Sequence, residues 1–293
     1  MNFKTLNQKL DAYERLMRLD KPIGILLLLW PTLWALLIAG HGKPDWIVVL
    51  IFVTGTVLMR SAGCVMNDIS DRKFDGLVER TKYRPLATGE VSVKEAYILA
   101  AGLCLMAFIL VCLMNRTTIL LSVAALFLAA TYPLTKRFFV IPQAYLGVAF
   151  GFGIPMAFSA LNDYIPPLAW WMLLANVLWA VAYDTQYAMV DRDDDIKIGI
   201  YSSALFFGKY DVLAIMLCYV GMIGILFYLG KFLNFESPYF LWLGVAFGLA
   251  LGQYQAIKKR IKIDCFNAFL RNNWIGFAIF IGLLIQYYFK NKI

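Results

Sequence analysis

The sequence predicts an all-α polytopic membrane protein, with nine transmembrane helices in a single domain that takes up residues 1–293. Of its 293 residues, 61% are hydrophobic and only 16% are charged, whereas about a quarter of the residues in soluble domains are charged. Apolar runs of about 20 residues, the length that crosses a bilayer, recur along the chain. Lys and Arg collect in alternate connections, which is typical of the cytoplasmic side of membrane proteins.

The apolar segments are joined by short connections and by two long ones, residues 68–93 and 191–210. Loops of this length in a compact protein are often functional. Before the first segment, Leu6, Leu10, Tyr13 and Met17 recur at helical spacing. Residues 1–21 are therefore expected to form either an amphipathic helix on the cytoplasmic surface or a partly ordered tail. The nine segments are 22–40, 46–67, 94–114, 117–135, 141–160, 167–190, 211–230, 238–257 and 272–289.

The distribution of basic residues sets the orientation of these segments. If the N-terminus is cytoplasmic, both long connections are cytoplasmic, and most Lys and Arg lie on that side. The net charge of +8 then follows from membrane topology, and no nucleic-acid partner is indicated. The opposite side carries only Lys43, Arg116, Lys231, Lys290 and Lys292.

Two acidic clusters stand at the start of the two long connections, each at the end of an apolar segment. The first contains Asp68, Asp71 and Asp75, spaced three and four apart so that they share one face of a continuing helix. The second contains Asp191 and Asp195, four residues apart. Both clusters lie on the predicted cytoplasmic side, where they can face each other.

These clusters predict a magnesium site, because Mg²⁺ prefers oxygen ligands and is often held by one or two carboxylates together with substrate phosphates. Basic side chains in the same two connections are expected to neutralise the phosphate oxygens, and Tyr187 adds a hydroxyl one turn before Asp191. The candidate catalytic carboxylates are Asp71, Asp75, Asp191 and Asp195. The predicted metal ligands are Asn67, Asp68, Asp71, Asp75, Asp191 and Asp195, and the predicted phosphate-binding residues are Arg72, Lys73, Arg80, Lys82, Arg84 and Lys197.

Two charged residues fall within predicted spans. Charges inside a membrane are functional candidates by default. Arg60 lies two turns before Asn67, and Asp184 lies two turns before Asp191, so both point toward the same predicted cavity and are expected to contact substrate. The alternative is that they pair with other buried polar groups and only set packing.

The phosphate compound is expected to carry a long apolar tail. The chain has no Gly-rich phosphate loop of the nucleotide-binding types, and a cavity inside a membrane suits a polyprenyl diphosphate. A bound Mg²⁺ would withdraw electrons from the diphosphate leaving group. The allylic carbocation formed when the C–O bond breaks reacts with water, so the site must be dry.

The motifs resemble those of the UbiA superfamily of intramembrane prenyltransferases. Its N-D-x-x-D-x-x-x-D pattern is met by residues 67–75, and its D-x-x-x-D pattern by Asp191 and Asp195 with Tyr187 ahead of them. Stretches R-L-D-K-P-I-G (18–24), R-P-L-A-T-G (84–89) and K-I-G-I-Y-S-S-A-L-F-F-G (197–208) are also similar. The resemblance covers essentially the whole chain.

This resemblance implies nine helices around a central cavity, with the acidic motifs and Mg²⁺ under a cytoplasmic loop cap in a bacterial inner membrane. The implied substrates are a polyprenyl diphosphate and an aromatic acid. The closest match is to members that prenylate 4-hydroxybenzoate, at the ring carbon ortho to the hydroxyl, in ubiquinone biosynthesis. Arg137 is then a candidate partner for the acceptor carboxylate, and Asp191 for the phenol proton.

Three alternatives stay open on the sequence. Within the family, the acceptor is dihydroxynaphthoate, homogentisate, haem or chlorophyllide instead. Outside it, the chain is a secondary transporter, although transporter sites lie near the bilayer midplane and these acids gather at one face. The third alternative is a membrane scaffold without chemistry, which has no use for two acidic clusters.

Overall fold

The computed structural model describes residues 3–76 and 81–290, with backbone only for residues 3–6 and Phe74. Within these residues the fold is all-α, as predicted, and the described ranges contain no β-strand. The helices are α1 (Phe3–Met17), α2 (Ile23–Ala39), α3 (Trp46–Asp75), α4 (Val93–Val111), α5 (Arg116–Thr135), α6 (Pro142–Gly151), α7 (Gly153–Asn162), α8 (Pro167–Ile198), α9 (Ser203–Phe207), α10 (Asp211–Phe232), α11 (Ser237–Ile257) and α12 (Lys262–Lys290).

Seven helical stretches in the described part of the chain are long and apolar enough to cross a membrane. Helix α2 is apolar but has only 17 residues, and α8, which covers the predicted segment 167–190, is not among the seven. The count of nine spans therefore stays a prediction. The predicted segment 141–160 is divided into α6 and α7 at Phe152.

Helices α3 and α8 extend beyond their apolar segments and carry the acidic clusters in their last turns. Helix α8 has 32 residues and ends at Gly199, whose φ of 74° is left-handed and whose N–H bonds the Asp195 carbonyl. This is a common helix stop that glycine adopts without strain. After α3, the connection leads to α4, which Ser92 and Glu95 begin with a reciprocal capping box.

The larger hydrophobic core joins α2, α7, α8, α10, α11 and α12. At its centre Trp34 stacks on Trp179 with ring centroids 5.5 Å apart. Beside them, Asn272 accepts hydrogen bonds from Trp179 (3.0 Å) and Tyr219 (2.8 Å) and donates to Gln186 (2.9 Å). Buried polar groups that are satisfied in this way fix one arrangement of neighbouring helices. These hydrogen bonds therefore fix the part of α8 that directly precedes its acidic last turns.

A smaller core fastens α1 to α3 and to the connection before α4. Ala12 and Leu16 are buried against Val65 and Ile69, whereas Leu10, which the sequence pattern placed on the apolar face, is 56% exposed. Ion pairs reinforce the contact: Lys9 with Glu95 at 2.9 Å, and Arg15 with Glu90. Helix α1 is therefore packed on the end of α3 that carries the first acidic cluster.

Candidate functional site

A cavity of about 980 Å³ lies between α2, α3, α4, α5, α6, α7, α8 and α12. On α3 its lining residues run from Ile51 to Asp75, which at 1.5 Å per residue is a depth of about 36 Å. The end toward Asp75 is lined by charged groups and the rest by apolar side chains, among them Ile51, Phe52, Phe108, Leu126 and Phe150. The cavity therefore suits an amphiphilic ligand with one charged end.

The first acidic cluster faces the cavity along one side of α3. Asn67, Asp68, Asp71 and Asp75 all line it. The Asn67 amide donates to Asp71 at 3.1 Å, and Lys136 lies 3.6 Å from the same carboxylate. The side chain of Asp71 is 25% exposed. The Asn67 and Asp71 side chains therefore both lie on the cavity wall, and their role as metal ligands stays a prediction.

Asp68 differs from the other members because two arginines enclose it. Its side chain is 1% exposed; Arg18 donates to both carboxylate oxygens at 2.9 Å, and Arg84 lies 2.9 Å away. Arg84 also donates to both oxygens of Asp75 at 3.0 Å. Burial raises the pKa of Asp75 above its ordinary value, and the charge of Arg84 opposes this rise. Asp68 thus anchors Arg18, which directly follows α1, and Arg84, which lies in the connection between α3 and α4.

The second acidic cluster lines the cavity from α8. Asp184, Asp191 and Asp195 all lie on its wall, as predicted, together with Asp194. The Tyr187 ring packs edge-on against Phe269 at 5.0 Å. The two clusters therefore belong to one cavity, on two helices that are far apart in the sequence.

Within the described residues, no group of three His, Cys, Asp or Glu side chains is close enough to hold a metal ion. The donors are nevertheless carboxylate and amide oxygens on two walls of one cavity. Mg²⁺ commonly keeps only one or two protein carboxylates and completes its coordination with phosphate oxygens and water. The residues fit an ion that is bound jointly with a phosphate ligand.

The predicted basic residues divide into two groups. Arg84 and Arg137 line the cavity. Arg72, Lys73 and Lys197 are exposed and are not among its lining residues; Lys197 instead lies 3.2 Å from Asp194 on the surface of α8. Lys82 lies over the Tyr83 ring at 5.0 Å and outside the lining, and Arg80 lies outside the described residues.

Among the described residues, four further cations that the sequence did not assign to the site also line the cavity: Arg15, Arg18, Lys21 and Lys136. Arg18 belongs to the R-L-D-K-P-I-G stretch that resembles the family, and this resemblance is the sequence feature that could have assigned it to the site. Lys136 precedes Arg137, but the positive-inside pattern explained both equally well. The distance between these cations and the acidic clusters depends on how the ends of different helices pack together, which spacing along the sequence does not reveal.

Arg60 projects into the apolar part of the cavity. Its Nη1 donates to the Cys64 sulfur at 2.7 Å and its guanidinium lies over the Phe150 ring at 5.7 Å. Its Nε is buried without a hydrogen-bond partner in the described structure. Gly24 makes room for it, because a Cβ there would lie 2.8 Å from Arg60 Nη2. A buried guanidinium with a free donor in the described structure is suited to bind an anionic group.

An apolar cavity among membrane-length helices, with two acidic helix ends and several cations at one end, suits a lipid-like ligand with a charged head group. The chain belongs to the UbiA prenyltransferase family, whose model matches residues 28–281.

Relatives of similar length are highly similar in sequence. A 4-hydroxybenzoate octaprenyltransferase of Methylobacillus flagellatus is 60% identical over 293 residues, covering 100% of this chain and 99% of the relative. A protein of the same name from Dechloromonas aromatica is 58% identical, covering 98% and 97%.

Solved structures share the fold at lower identity. The apo structure of a UbiA homolog from Aeropyrum pernix K1 aligns with a TM-score of 0.78 at 23% identity, covering 89% of this chain and 97% of that one. A UbiA homolog from Archaeoglobus fulgidus bound to GPP and Mg²⁺ aligns with a TM-score of 0.68 at 18% identity, covering 93% and 99%.

Proposed function

We propose that this protein transfers a polyprenyl group from polyprenyl diphosphate to the ring carbon ortho to the hydroxyl of 4-hydroxybenzoate, releasing diphosphate, in ubiquinone biosynthesis. The observation that carries the proposal is that both acidic helix ends line the charged end of one cavity whose remaining wall is apolar. Full-length relatives named 4-hydroxybenzoate octaprenyltransferase support the choice of acceptor.

Mg²⁺ is the proposed cofactor, and it supplies electron withdrawal from the diphosphate leaving group when bound. The residues proposed to hold it are Asn67, Asp71, Asp191 and Asp195, which offer hard oxygen donors from both walls. Asp68 and Asp75 act mainly by holding Arg18 and Arg84 at the cavity wall. These arginines, with Lys136, offset the negative charge of the diphosphate oxygens.

The apolar body of the cavity accommodates the prenyl chain and keeps water from the reacting carbon. Aromatic side chains near the charged end, among them Tyr187 and Phe269, can stabilise a developing cation with their ring faces. A dry site also strengthens each electrostatic contact. These features favour transfer to an aromatic ring over hydrolysis.

The acceptor carboxylate is proposed to bind Arg137 or Arg60, both of which line the cavity. Arg60 offers a buried Nε without a partner in the described structure, and Arg137 lies near the charged rim. Asp191 is the proposed acceptor of the phenol proton, which would make the ring a better nucleophile.

The protein is proposed to lie in the bacterial inner membrane with α1 and the charged end of the cavity on the cytoplasmic side. The support is the excess of Lys and Arg in the connections on that side. Both substrates then reach the site from one face: the acid from the cytoplasm and the prenyl diphosphate from the adjoining leaflet.

The test uses membranes that contain the protein, a polyprenyl diphosphate and labelled aromatic acids. We expect Mg²⁺-dependent prenylation of 4-hydroxybenzoate, with diphosphate release in detergent solution. Incorporation only into dihydroxynaphthoate or homogentisate would refute the acceptor. Absence of any Mg²⁺-dependent diphosphate release would refute the reaction class and favour a transporter.

A further inference from the structure

Asp211, the first residue of α10, is completely buried and is not among the residues that line the cavity. Its carboxylate accepts hydrogen bonds from Arg192 on α8 and from Arg260 in the turn between α11 and α12, the latter at 2.7 Å from Nη2. The Arg192 Nη2 also donates to the Ala204 carbonyl at 2.9 Å. One carboxylate therefore joins α8, α10 and the turn after α11.

Arg192 lies within the second acidic cluster and is its only cation between residues 191 and 195. On a helix, residues three apart are neighbours, so the alternative partner within reach of Arg192 is Asp195. Asp195 lines the cavity, whereas Arg192 does not. The rotamer of Arg192 thus decides whether the charge of this arginine lies beside a proposed metal-binding carboxylate or beside Asp211, outside the cavity lining.

We propose that Asp211 is a positioning residue for the metal–diphosphate site: by holding Arg192 outside the cavity lining, it keeps that cation from competing with Mg²⁺ for Asp195. The inference rests on the proposed function, since it assigns Asp195 to the ion that binds with diphosphate. In this proposal Asp211 acts through Arg192, since it is not itself among the residues that line the cavity.

The contacts around Asp211 favour the pairing of Arg192 with Asp211. Arg260 donates to Asp211 from both Nε and Nη2 and to the Lys209 carbonyl at 2.8 Å, and the Val212 N–H adds a further donor. These hydrogen bonds hold the Asp211 carboxylate in one position, where Arg192 pairs with it. Lys262 pairs with Asp193 of α8 at 2.7 Å, and both side chains are exposed. This second ion pair to α8 serves as a control for the Arg192–Asp211 pair.

The experiment measures binding of inorganic diphosphate by calorimetry in detergent as a function of Mg²⁺ concentration. Asp211→Asn should raise the Mg²⁺ concentration needed for half-maximal binding by about fivefold, the effect of a part-exposed ion pair competing with the metal. The double variant with Arg192→Gln should return it to the wild-type value, since the competing cation is then gone. Lys262→Gln, which removes the exposed ion pair, should leave it unchanged.

Arg192→Lys covers the case in which Asp211→Asn does not fold. It keeps the charge on a shorter side chain that holds Asp211 less firmly, so a smaller rise in the Mg²⁺ requirement is expected. A double variant as weak as Asp211→Asn alone, or no rise in either single variant, would overturn the positioning role. A wild-type protein without Mg²⁺-dependent diphosphate binding would overturn both this role and the metal site of the proposed function.

Discussion

Replacing Asp68 by Asn separates the anchoring role of this residue from metal binding. The substitution preserves size and removes the charge that Arg18 and Arg84 share. If Asp68 is an anchor, the variant should lose stability. If it is a direct ligand, as the motif alone indicated, the variant should lose Mg²⁺ binding while remaining equally stable.

The structure sets the size of the effect. Removing one partner of a buried ion pair costs about 3–5 kcal/mol. Both arginines keep another acceptor, since Arg18 donates to the Arg15 carbonyl at 2.7 Å and Arg84 to Asp75, and their side chains are 19% and 15% exposed. We therefore expect about 3 kcal/mol, the low end of that range.

The matched variant is Asp71→Asn, at a carboxylate whose side chain is 25% exposed and whose cation lies 3.6 Å away. Its stability should change by less than about 1 kcal/mol, while turnover and Mg²⁺-dependent diphosphate binding should be nearly abolished. Thermal unfolding in detergent, followed by tryptophan fluorescence, gives the stability, and calorimetry gives the binding. An Asp68→Asn protein as stable as wild type, beside a strongly destabilised Asp71→Asn protein, would refute the assignment.

Three further predictions concern packing and the attachment of α1. Gly24→Ala should displace Arg60, because the new Cβ would lie 2.8 Å from its Nη2, and should raise KM for the aromatic acid without changing KM for the prenyl diphosphate. Gly151→Val should cost about 1–3 kcal/mol, since its Cβ would lie 2.4 Å from Asn176 Nδ2. Hydrogen bonds from Arg15 on α1 and from Thr88 hold the pKa of Glu90 below its ordinary value. Helix α1 should therefore stay attached at neutral pH and loosen only as the pH falls through that lowered pKa.

Each of these has a control. Gly102→Ala and Gly244→Val place the new Cβ where no atom beyond the glycine's own stretch of helix lies within 4 Å, so KM and the unfolding temperature should be unchanged. Loss of α1 attachment is measured as the rate of proteolysis of the leader at successive pH values, with Glu90→Gln expected to cleave quickly at every pH. Equal effects in a glycine variant and its control, or an identical pH profile for Glu90→Gln, would contradict the reasoning.

Much of the candidate site followed from the sequence because its signals are local. Helical spacing placed Asp68, Asp71 and Asp75 on one face, and the lining of the cavity by all three agrees with it. Arg60 and Asp184 were marked by the cost of a charge within an apolar segment, and both line the same cavity. The basic residues were less predictable, since Arg72 and Lys73 follow Asp71 directly yet are exposed on another face of α3.

The sequence by itself determined the all-α class, the presence of many apolar helices and the two acidic helix ends, because hydropathy and helical periodicity depend on residues that are near in the chain. Only the tertiary structure decided which cations meet which carboxylates. Arg18 and Arg84 enclose Asp68, and Arg192 turns to Asp211 instead of its neighbour Asp195. Such pairings depend on distances of a few ångströms between the ends of different helices, and no spacing along a single helix encodes them.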